Sequence, residues 1–295
     1  GVLTDTNGNE KRRAISRWDE MKSDYLAVSS VTNAARQVIG TTTSQYSGNF
    51  GENSYRVGLS WQPQLHSHYY LGWSDSFSPT ADLYQLSGSQ YPAERSTVTE
   101  LGAKWLLLDG DLAFRAALYS AIKDWERNTD LESTASILTR KRRSNGLELE
   151  LAGRITNEWE VFSGLSLIAA EILEVAPGTG NPNYIGKAPR NTPKTTFNLW
   201  STYRLPMGFK IGGGAEYKSR RYGGAPTGTA EFNPNYVPSY VRWDAMASYE
   251  QPKYAVKFNV QNVFDKLYYD ALYDNGGFTV PGQGRRFILS AEYKF

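Results

Sequence analysis

The sequence of 295 residues has no cysteine, two histidines and three methionines. The absence of cysteine excludes a disulfide scaffold, a zinc–thiolate site and a thiol enzyme. The two histidines, His66 and His68, lie beside a predicted turn. Because a zinc site needs about three or four ligands, we expect no metal site there. The net charge of +2 is too balanced for a nucleic-acid-binding surface, so no nucleic-acid partner is expected.

Long hydrophobic runs are also missing. A membrane-spanning helix needs roughly 18 apolar residues, and the best run here, from Leu165 to Ala170, is followed directly by Glu171. Aromatic residues, by contrast, make up 14% of the chain, and there are 27 glycines. A transmembrane β-strand gives no hydropathy signal of the helical kind, because only every second residue faces lipid. The composition therefore fits either a soluble β-protein or a β-barrel membrane protein.

Apolar and polar residues alternate along most of the chain. Between Leu147 and Leu151, leucines point one way while Glu148 and Glu150 point the other. Such strands reach about ten residues or more, against roughly 5–6 in globular proteins, which favours a barrel wall. The predicted strands cover 13–27, 54–62, 66–77, 96–107, 111–124, 138–153, 157–171, 194–204, 208–220, 238–250, 253–263 and 284–295.

The connections alternate between short and long. Asp109-Gly110 is a strong hairpin signal, whereas the long connections are rich in Gly, Ser, Thr, Pro and Asn. The predicted long loops cover 28–53, 78–95, 125–137, 172–193, 221–237 and 264–283. Aromatic rings near the short-turn ends predict an interfacial girdle, made of Trp61, Trp73, Trp105, Trp159, Tyr203, Tyr249 and Tyr254. The sequence thus predicts an all-β fold, an antiparallel transmembrane β-barrel with about 12 strands over residues 1–295; a soluble β-sandwich with an aromatic core is the alternative.

The last strand alternates and ends in an aromatic residue, a pattern that barrel-assembly machinery recognises. We therefore expect that machinery as a partner. The predicted insertion signal consists of Phe287, Leu289, Tyr293 and Phe295. A last strand that ends in the periplasm makes the short turns periplasmic and the long loops extracellular.

Several segments resemble TonB-dependent siderophore receptors. The residues 237–249, 259–269 and 281–295 resemble the C-terminal region of that family, and Asn262-Val-Phe-Asp-Lys266 matches it closely. Further signatures lie at 100–105, 146–151 and 187–193, so the resemblance covers roughly residues 54 to 295. Within the family the sequence is most similar to the ferric-catecholate branch.

The resemblance implies a bacterial outer-membrane receptor that captures a ferric siderophore on its extracellular loops. Passage through the barrel is then gated by the TonB complex, without covalent chemistry and without a cofactor, since iron is carried as a chelate. Family barrels have about 22 strands and a plug. Neither a plug domain nor a TonB-interacting segment is recognised here, so we expect the C-terminal half of such a barrel. A self-contained 12-stranded passive pore is the alternative.

Ferric catecholates are aromatic and anionic, so arginines and tyrosines on the long loops are candidate ligand contacts. These candidates are Tyr84, Tyr91, Arg140, Arg142, Arg220, Arg221 and Tyr222, with Tyr236, Tyr273 and Phe278 as weaker ones. Alternation sends Lys141 and Arg143 outward, toward lipopolysaccharide phosphates and outer-membrane lipid; the alternative is a solvated strand end. The charges predicted to face the lumen wall and a plug are Glu100, Lys104, Arg115, Glu148, Glu150, Glu216, Arg242 and Asp244.

Overall fold

The computed structural model describes residues 2–4, 10–78, 92–126, 139–178, 180–224, 231–273 and 278–293. Tyr84, Tyr91 and Phe295 lie outside this part of the chain. The strands are β1 (Val2–Thr4), β2 (Glu10–Thr32), β3 (Val38–Gln64), β4 (Ser67–Ser78), β5 (Glu94–Leu107), β6 (Leu112–Glu126), β7 (Thr139–Arg154), β8 (Trp159–Val175), β9 (Thr195–Arg204), β10 (Phe209–Lys218), β11 (Arg221–Tyr222), β12 (Tyr236–Val237), β13 (Tyr240–Glu250), β14 (Tyr254–Gln261), β15 (Tyr269–Tyr273), β16 (Phe278–Pro281) and β17 (Arg286–Tyr293). Among the described residues no helix is long and apolar enough to cross a membrane.

Thirteen strands form one antiparallel sheet, in the order β1 to β10, then β13, β14 and β17. Apart from the three-residue β1, these are the twelve strands that the sequence predicts, and the predicted all-β class is confirmed. Two small two-stranded sheets, β11–β12 and β15–β16, lie within the connections at the loop end. In the described residues β1 pairs with β2 alone and β17 with β14 alone, so the sheet is open at both ends.

The predicted long loop at 28–53 is wrong. Strands β2 and β3 pair continuously from Glu10 opposite Trp61 to Thr32 opposite Val38. The turn at the tip is fixed by Asn33, whose side-chain oxygen accepts hydrogen bonds from the backbone N–H of residues 35 and 37 at 3.0 and 2.9 Å. The sequence misled because residues 28–53 are rich in Gly, Ser, Thr and Asn, which look like loop residues, whereas the backbone ladder between the two strands pairs them in register.

One face of the sheet is apolar and exposed. A row of leucines crosses six neighbouring strands in direct register, formed by Leu59, Leu71, Leu101, Leu118, Leu147 and Leu167. Leu101 and Leu118 each remain 55% exposed, which is costly in water and favourable against hydrocarbon. This face therefore faces lipid, and the leucine row marks the middle of the apolar band.

Aromatic rings form a chain along the short-turn end of this lipid-facing side. Tyr69 lies 5.5 Å from Trp61 and 5.9 Å from Trp105, centroid to centroid, and Trp105 stacks on Phe114 at 5.6 Å. The Trp105 indole N–H donates to the Tyr69 hydroxyl at 3.1 Å. Trp73 was wrongly assigned to this girdle: it pairs with Thr99, on the loop side of the leucine row.

On the opposite face, which lines the lumen, two tyrosine rings lie flat over glycines of the next strand. Tyr70 is paired with Gly102, and Tyr119 with Gly146. A Cβ added at Gly102 would meet the Tyr70 ring at 2.1 Å, and one at Gly146 the Tyr119 ring at 2.4 Å. Glycine at these positions allows an aromatic surface without a side chain protruding into the lumen.

Candidate functional site

The predicted inward charges share the lumen-facing side of the sheet. One continuous register row runs across seven strands through Lys104, Arg115, Glu150, Gly164, Asn198, Glu216 and Arg242. Glu100, Glu148 and Asp244 lie an even number of residues from members of this row and so share its face. Whether these eight charges contact a plug stays a prediction.

 A first cluster of these side chains surrounds a depression of 330 Å³ on the inner wall. A second depression, of 690 Å³, lies on the lipid-facing side. Arg115 and Glu150 form an ion pair of 2.8 Å across β6 and β7. The Tyr70 hydroxyl donates to the Glu100 carboxylate, and the Lys104 ammonium lies 5.7 Å from the centroid of the Tyr70 ring. This part of the wall is polar, of mixed charge and internally paired.

A second cluster connects the inner wall to the loops. Arg242 lies 3.1 Å from both Glu216 and Asp244, and its guanidinium also donates to the Tyr268 hydroxyl at 3.2 Å. The Tyr240 hydroxyl donates to Glu216 at 2.8 Å, and the Tyr240 and Tyr268 rings are 4.4 Å apart. Because Tyr268 belongs to the connection between β14 and β15, wall and loop are held by one network.

The segment Asn262–Lys266 forms a compact turn. Asn262 is 1% exposed with a φ of 51°, a left-handed conformation that asparagine tolerates better than most residues. Its amide donates to the carbonyls of Lys266 and Gln283, both at 2.9 Å, and its oxygen accepts from the Lys266 N–H at 2.8 Å. Asp265 in turn accepts from the Arg285 N–H at 2.8 Å. These hydrogen bonds join the two ends of the last long connection.

Two side chains, the half-buried Asn191 and the buried Arg221, fasten three connections together at the loop end. Asn191 donates to the Leu272 carbonyl at 2.8 Å and accepts from the Leu272 N–H at 3.0 Å, while its own N–H donates to the Tyr222 carbonyl at 2.7 Å. Arg221 is 3% exposed and donates to the carbonyls of Tyr269 and Asp270 at 2.6 and 2.7 Å. The structure therefore places Arg221, a predicted ligand contact, where its guanidinium holds loops together rather than faces solvent.

Aromatic rings and cationic side chains lie close together on the connections that Asn191 and Arg221 hold. The guanidinium carbon of Arg220 lies 4.5 Å from the Tyr236 ring centroid, and the Lys187 ammonium 5.3 Å from that of Phe232. Tyr184 meets Phe232 edge to face at 5.0 Å, and Tyr222 lies 6.1 Å from Phe232. We call this set, Tyr184, Lys187, Arg220, Tyr222, Phe232 and Tyr236, the loop-end aromatic cluster.

Sequence reasoning found only part of this cluster. Arg220, Tyr222 and Tyr236 were predicted, whereas Tyr184, Lys187 and Phe232 were missed. Lys187 lies within a segment quoted for the family resemblance, but nothing in its local sequence shows that it meets a ring from another connection. Tyr273 and Phe278, both weaker candidates, stack on each other at 5.0 Å within the β15–β16 hairpin.

The basic run at the start of β7 is neutralised by carboxylates on adjacent strands. Arg142 pairs with Glu126 at 2.9 Å, and Arg140 with Glu174 at 2.9 Å. The two outward cations also have acidic neighbours, Lys141 with Asp124 at 3.9 Å and Arg143 with Glu171. Arg140 and Arg142 are therefore placed at the loop end, but with their charge already compensated.

The predicted insertion-signal residues lie on β17. Phe287, Leu289 and Tyr293 are 62%, 72% and 59% exposed, and Phe287 stacks on Phe258 of β14 at 6.1 Å. Their alternate spacing puts all three on the lipid-facing side, as expected for the last strand. Their recognition by assembly machinery stays a prediction.

A long-stranded antiparallel sheet with an apolar exposed face, an aromatic girdle and a charged inner face is the wall of an outer-membrane β-barrel. The chain belongs to the family described as TonB dependent receptor-like, beta-barrel, whose model matches residues 16–263. The outer-membrane location and the siderophore-receptor resemblance predicted from the sequence are thereby confirmed.

Individual relatives support the same family assignment. The chain is 30% identical to the probable TonB-dependent receptor BfrD of Bordetella pertussis over 255 residues, which is 82% of this chain and 33% of that protein. It is 27% identical to the probable TonB-dependent siderophore receptor PiuA of Acinetobacter baumannii, over 95% of this chain and 38% of that protein. The crystal structure of the ferric-catecholate import receptor Fiu from Escherichia coli K12, in its closed form, superposes with a TM-score of 0.80 at 22% identity, covering 97% of this chain and 42% of that one. The chain thus spans about a third to two fifths of the length of these proteins.

Proposed function

We propose that this chain is the C-terminal part of a 22-stranded receptor barrel for TonB-dependent uptake of a ferric siderophore of the catecholate type. The remainder of the protein would supply the other strands, the plug and the segment that contacts TonB. Capture takes place on the extracellular loops, and the complex then passes through the lumen when TonB rearranges the plug. Iron stays within its chelate throughout, so the receptor needs no metal ligands of its own.

The observation that carries this proposal is the loop-end aromatic cluster. A ferric catecholate presents flat aromatic rings and net negative charge. Tyrosine and phenylalanine rings provide stacking surfaces, while Arg220 and Lys187 provide positive charge beside them. Because Arg221 and Asn191 fasten the three connections, the cluster is organised before any ligand arrives, which reduces the entropic cost of binding.

Relatives support the substrate class. PiuA is a probable siderophore receptor, and Fiu is a ferric-catecholate import receptor. For the present chain, the loop-end aromatic cluster and membership of the family support the same class of ligand. The inner-wall charges suit a hydrated contact with a movable plug, since paired and solvated groups exchange partners at little cost.

A binding experiment on the full-length receptor tests the proposal. The probe is an iron(III) tris-catecholate complex, and its affinity is followed by quenching of intrinsic tryptophan fluorescence. We expect Arg220→Ala and Lys187→Ala each to raise Kd about fivefold, equivalent to ~1 kcal/mol for a cation–π or charge contact. Lys253→Ala, an exposed lysine in the short turn at the opposite end of the sheet, should leave Kd unchanged. Failure of the unmodified receptor to bind the probe would contradict the catecholate assignment.

The alternative of a self-contained passive pore makes a different prediction. A 12-stranded pore needs its first and last long strands to pair, because unpaired backbone is not tolerated in lipid. In the described residues β2 and β17 do not pair with each other. In planar bilayers the receptor should therefore show no steady conductance in the absence of TonB, and a constant open channel would favour the pore.

A further inference from the structure

Strand β6 presents a regular row of side chains to the lumen. From Leu112 to Asp124 it pairs without a register shift with β5 on one side and with β7 on the other. Because Leu118 belongs to the lipid-facing leucine row, the odd-numbered residues of β6 face the lumen. From the short-turn end to the loop end, these are Ala113, Arg115, Ala117, Tyr119, Ala121 and Lys123. Large and small side chains thus alternate along the row, which we call the β6 track.

Aromatic surface and positive charge lie together along the β6 track. The Tyr119 ring lies over Gly146 of the next strand, so that its other face is turned to the lumen. Below it, Ala117 lines the inner-wall depression of 330 Å³, together with Tyr70, Lys104 and Arg115. That volume is at the low end of the roughly 300–1,000 Å³ of small-ligand sites. A group that enters the depression therefore meets an aromatic ring and two cations.

The large side chains of the track recur at equal steps. Lys123, Tyr119 and Arg115 are four residues apart, which is about 14 Å per step along an extended strand. With strands tilted by about 40°, the span from Lys123 to Arg115 is roughly 21 Å along the membrane normal, most of the ~25 Å apolar band of such barrels. The track therefore runs from the loop end through most of the depth of the membrane.

The cations of the track are paired, but only with exposed or half-exposed carboxylates. Arg115 and Glu150 form an ion pair of 2.8 Å whose side chains are 52% and 37% exposed, and Lys123 lies 2.7 Å from Glu94. Exposed pairs of this kind contribute only about 0–1 kcal/mol, so an anionic ligand can replace the carboxylate at little cost. Passage through a pore needs such sites, which bind strongly enough to admit a ligand and weakly enough to release it.

The inner wall around β10 and β13 differs in this respect. Its central cation, Arg242, has a side chain that is 27% exposed and lies 3.1 Å from both Glu216 and Asp244. It also donates to the Tyr268 hydroxyl at 3.2 Å. A ligand would have to break three contacts at once to pair with this guanidinium. That part of the wall therefore suits a structural role, whereas β6 offers exchangeable contacts.

We propose that the β6 track is the part of the wall along which the anionic ferric complex crosses the lumen. The inference rests on the proposed uptake function and adds to it the side of the barrel on which passage takes place. The complex pairs with Lys123 at the loop end and stacks on the Tyr119 ring. It then occupies the depression over Ala117, between Tyr70 and Arg115, before it leaves toward the short turns.

A charge placed in the track tests the proposal in cells that make the full-length receptor and TonB. The probe is radioactive iron(III) tris-catecholate, and its Kd and its initial rate of uptake are measured separately. Ala117→Glu introduces a carboxylate into the depression, whereas Ala117→Gln introduces a neutral side chain of the same size. We expect uptake about tenfold slower with glutamate than with glutamine, at equal Kd, because the added charge repels the complex. The same two substitutions at Thr202, on the lumen face of β9, are the control and should give equal rates.

Removal of the ring is a second test. Tyr119→Ala should slow uptake about fivefold, whereas Tyr119→Phe should keep the rate of the unmodified receptor, because the ring face provides the stacking surface. Trp200→Ala is the matched control, since the Trp200 ring also lies over a glycine, Gly214, but on β9. Its rate of uptake should be unchanged.

The possible results are distinct. Equal uptake by Ala117→Glu and Ala117→Gln overturns the proposal, and so does an equal loss at Thr202, because a charge anywhere in the lumen would then slow passage. A weaker Kd at an unchanged rate would assign Ala117 to ligand capture and overturns it as well. Failure of the unmodified receptor to bind the probe contradicts the proposed function itself, and the path with it; the separate Kd measurement distinguishes this result from the others. Rates are compared per folded receptor, counted by heat-modifiable gel mobility of outer membranes.

Discussion

Asn191 and Leu272, 81 residues apart in the chain, exchange two hydrogen bonds at the loop end of the sheet. The Asn191 side-chain amide bonds to both the backbone N–H and the carbonyl of Leu272, as a neighbouring strand would. The backbone N–H of Asn191 donates to the carbonyl of Tyr222. Its φ of 51° is what turns the side chain toward β15. One residue thus joins the connection after β8 to the connections that follow β10 and β14.

Replacing Asn191 by alanine should loosen the loops and leave the sheet intact. Each buried group that loses its partner costs about 1–3 kcal/mol locally. Hydrogen–deuterium exchange of the full-length receptor should therefore speed up at 221–222 and 269–273, with no change in β9 or β10. Asn198→Ala, an asparagine on the inner wall, is the control. Unchanged exchange in both loop segments would show that Asn191 does not hold them.

Gly102→Ala should destabilise the barrel, because the new methyl group collides with the Tyr70 ring. Forcing the ring away costs about 1–3 kcal/mol and breaks its hydrogen bond to Glu100. The matched control is Gly72→Ala on the same face, where the structure leaves open space around an added Cβ. The free energy of unfolding in urea, measured in detergent, should fall only for Gly102→Ala. Similar values for the two variants would mean that the ring moves freely.

Arginine substitutions along β6 should report membrane depth. Leu118→Arg lies in the leucine row and should cost about 2–4 kcal/mol, the penalty for the bilayer midplane. Ile122→Arg, paired with Arg143 at the loop-side rim, should cost about 0–1 kcal/mol. Unfolding of the full-length receptor from lipid vesicles measures both values. A reversed order would place the apolar band elsewhere.

Burial raises the pKa of the Tyr184 hydroxyl above its ordinary value of 10.0. Since the neutral phenol is the form that the fold favours, its contribution is complete below pH 10 and is lost as pH rises through the higher folded pKa. Packing between Tyr184 and Phe232 should therefore weaken only in strongly alkaline solution. Near-ultraviolet absorbance will follow this ionisation, and Tyr184→Phe should remove the corresponding transition. A phenol that ionises at its ordinary pKa would contradict burial of this side chain.

The alternating apolar residues of β17 should affect assembly of the receptor in cells more than its folding in detergent. Replacing Phe287 and Tyr293 by serine removes two exposed rings from the lipid-facing side of the last strand. We expect severalfold less receptor in the outer membrane, while the purified variant still refolds with heat-modifiable mobility. Ser290→Ala on the opposite face of β17 is the control. Normal outer-membrane levels of the serine variant would contradict the proposed insertion signal.

The strands of the wall could be predicted because their two environments differ. Lipid on one side and water on the other impose strict alternation, so segments such as β7 and β13 were found nearly to the residue. The outer part of hairpin β2–β3 was missed because Thr41 and Ser44 look like loop residues in the sequence, although they pair as strand residues. Strand periodicity depends on an asymmetric environment, and beyond the membrane that asymmetry is gone.

The site was less predictable than the wall. Arg220 and Arg221 are neighbours of the same type, yet one lies against an exposed ring and the other is buried between carbonyls. Local sequence cannot separate them, because the partners come from β12 and β15. The compensation of Arg142 by Glu126 was likewise invisible, since it depends on the register of β6 and β7. Charge and aromaticity indicated where a ligand could bind; only the fold showed which groups were already engaged.

The paired ribbon of β2 and β3 also determines what the cell presents to its surroundings. From Leu59 in the leucine row to Val38 at the tip, the strand extends roughly 70 Å at ~3.4 Å per residue. The turn at 33–37 is therefore the described point farthest from the bilayer, on the side of the long connections. An epitope tag inserted there would be accessible to antibody on intact cells, whereas one at 108–110 would be hidden behind the membrane. Within the part of the chain that the structure describes, the surface farthest from the leucine row is a ribbon two strands wide.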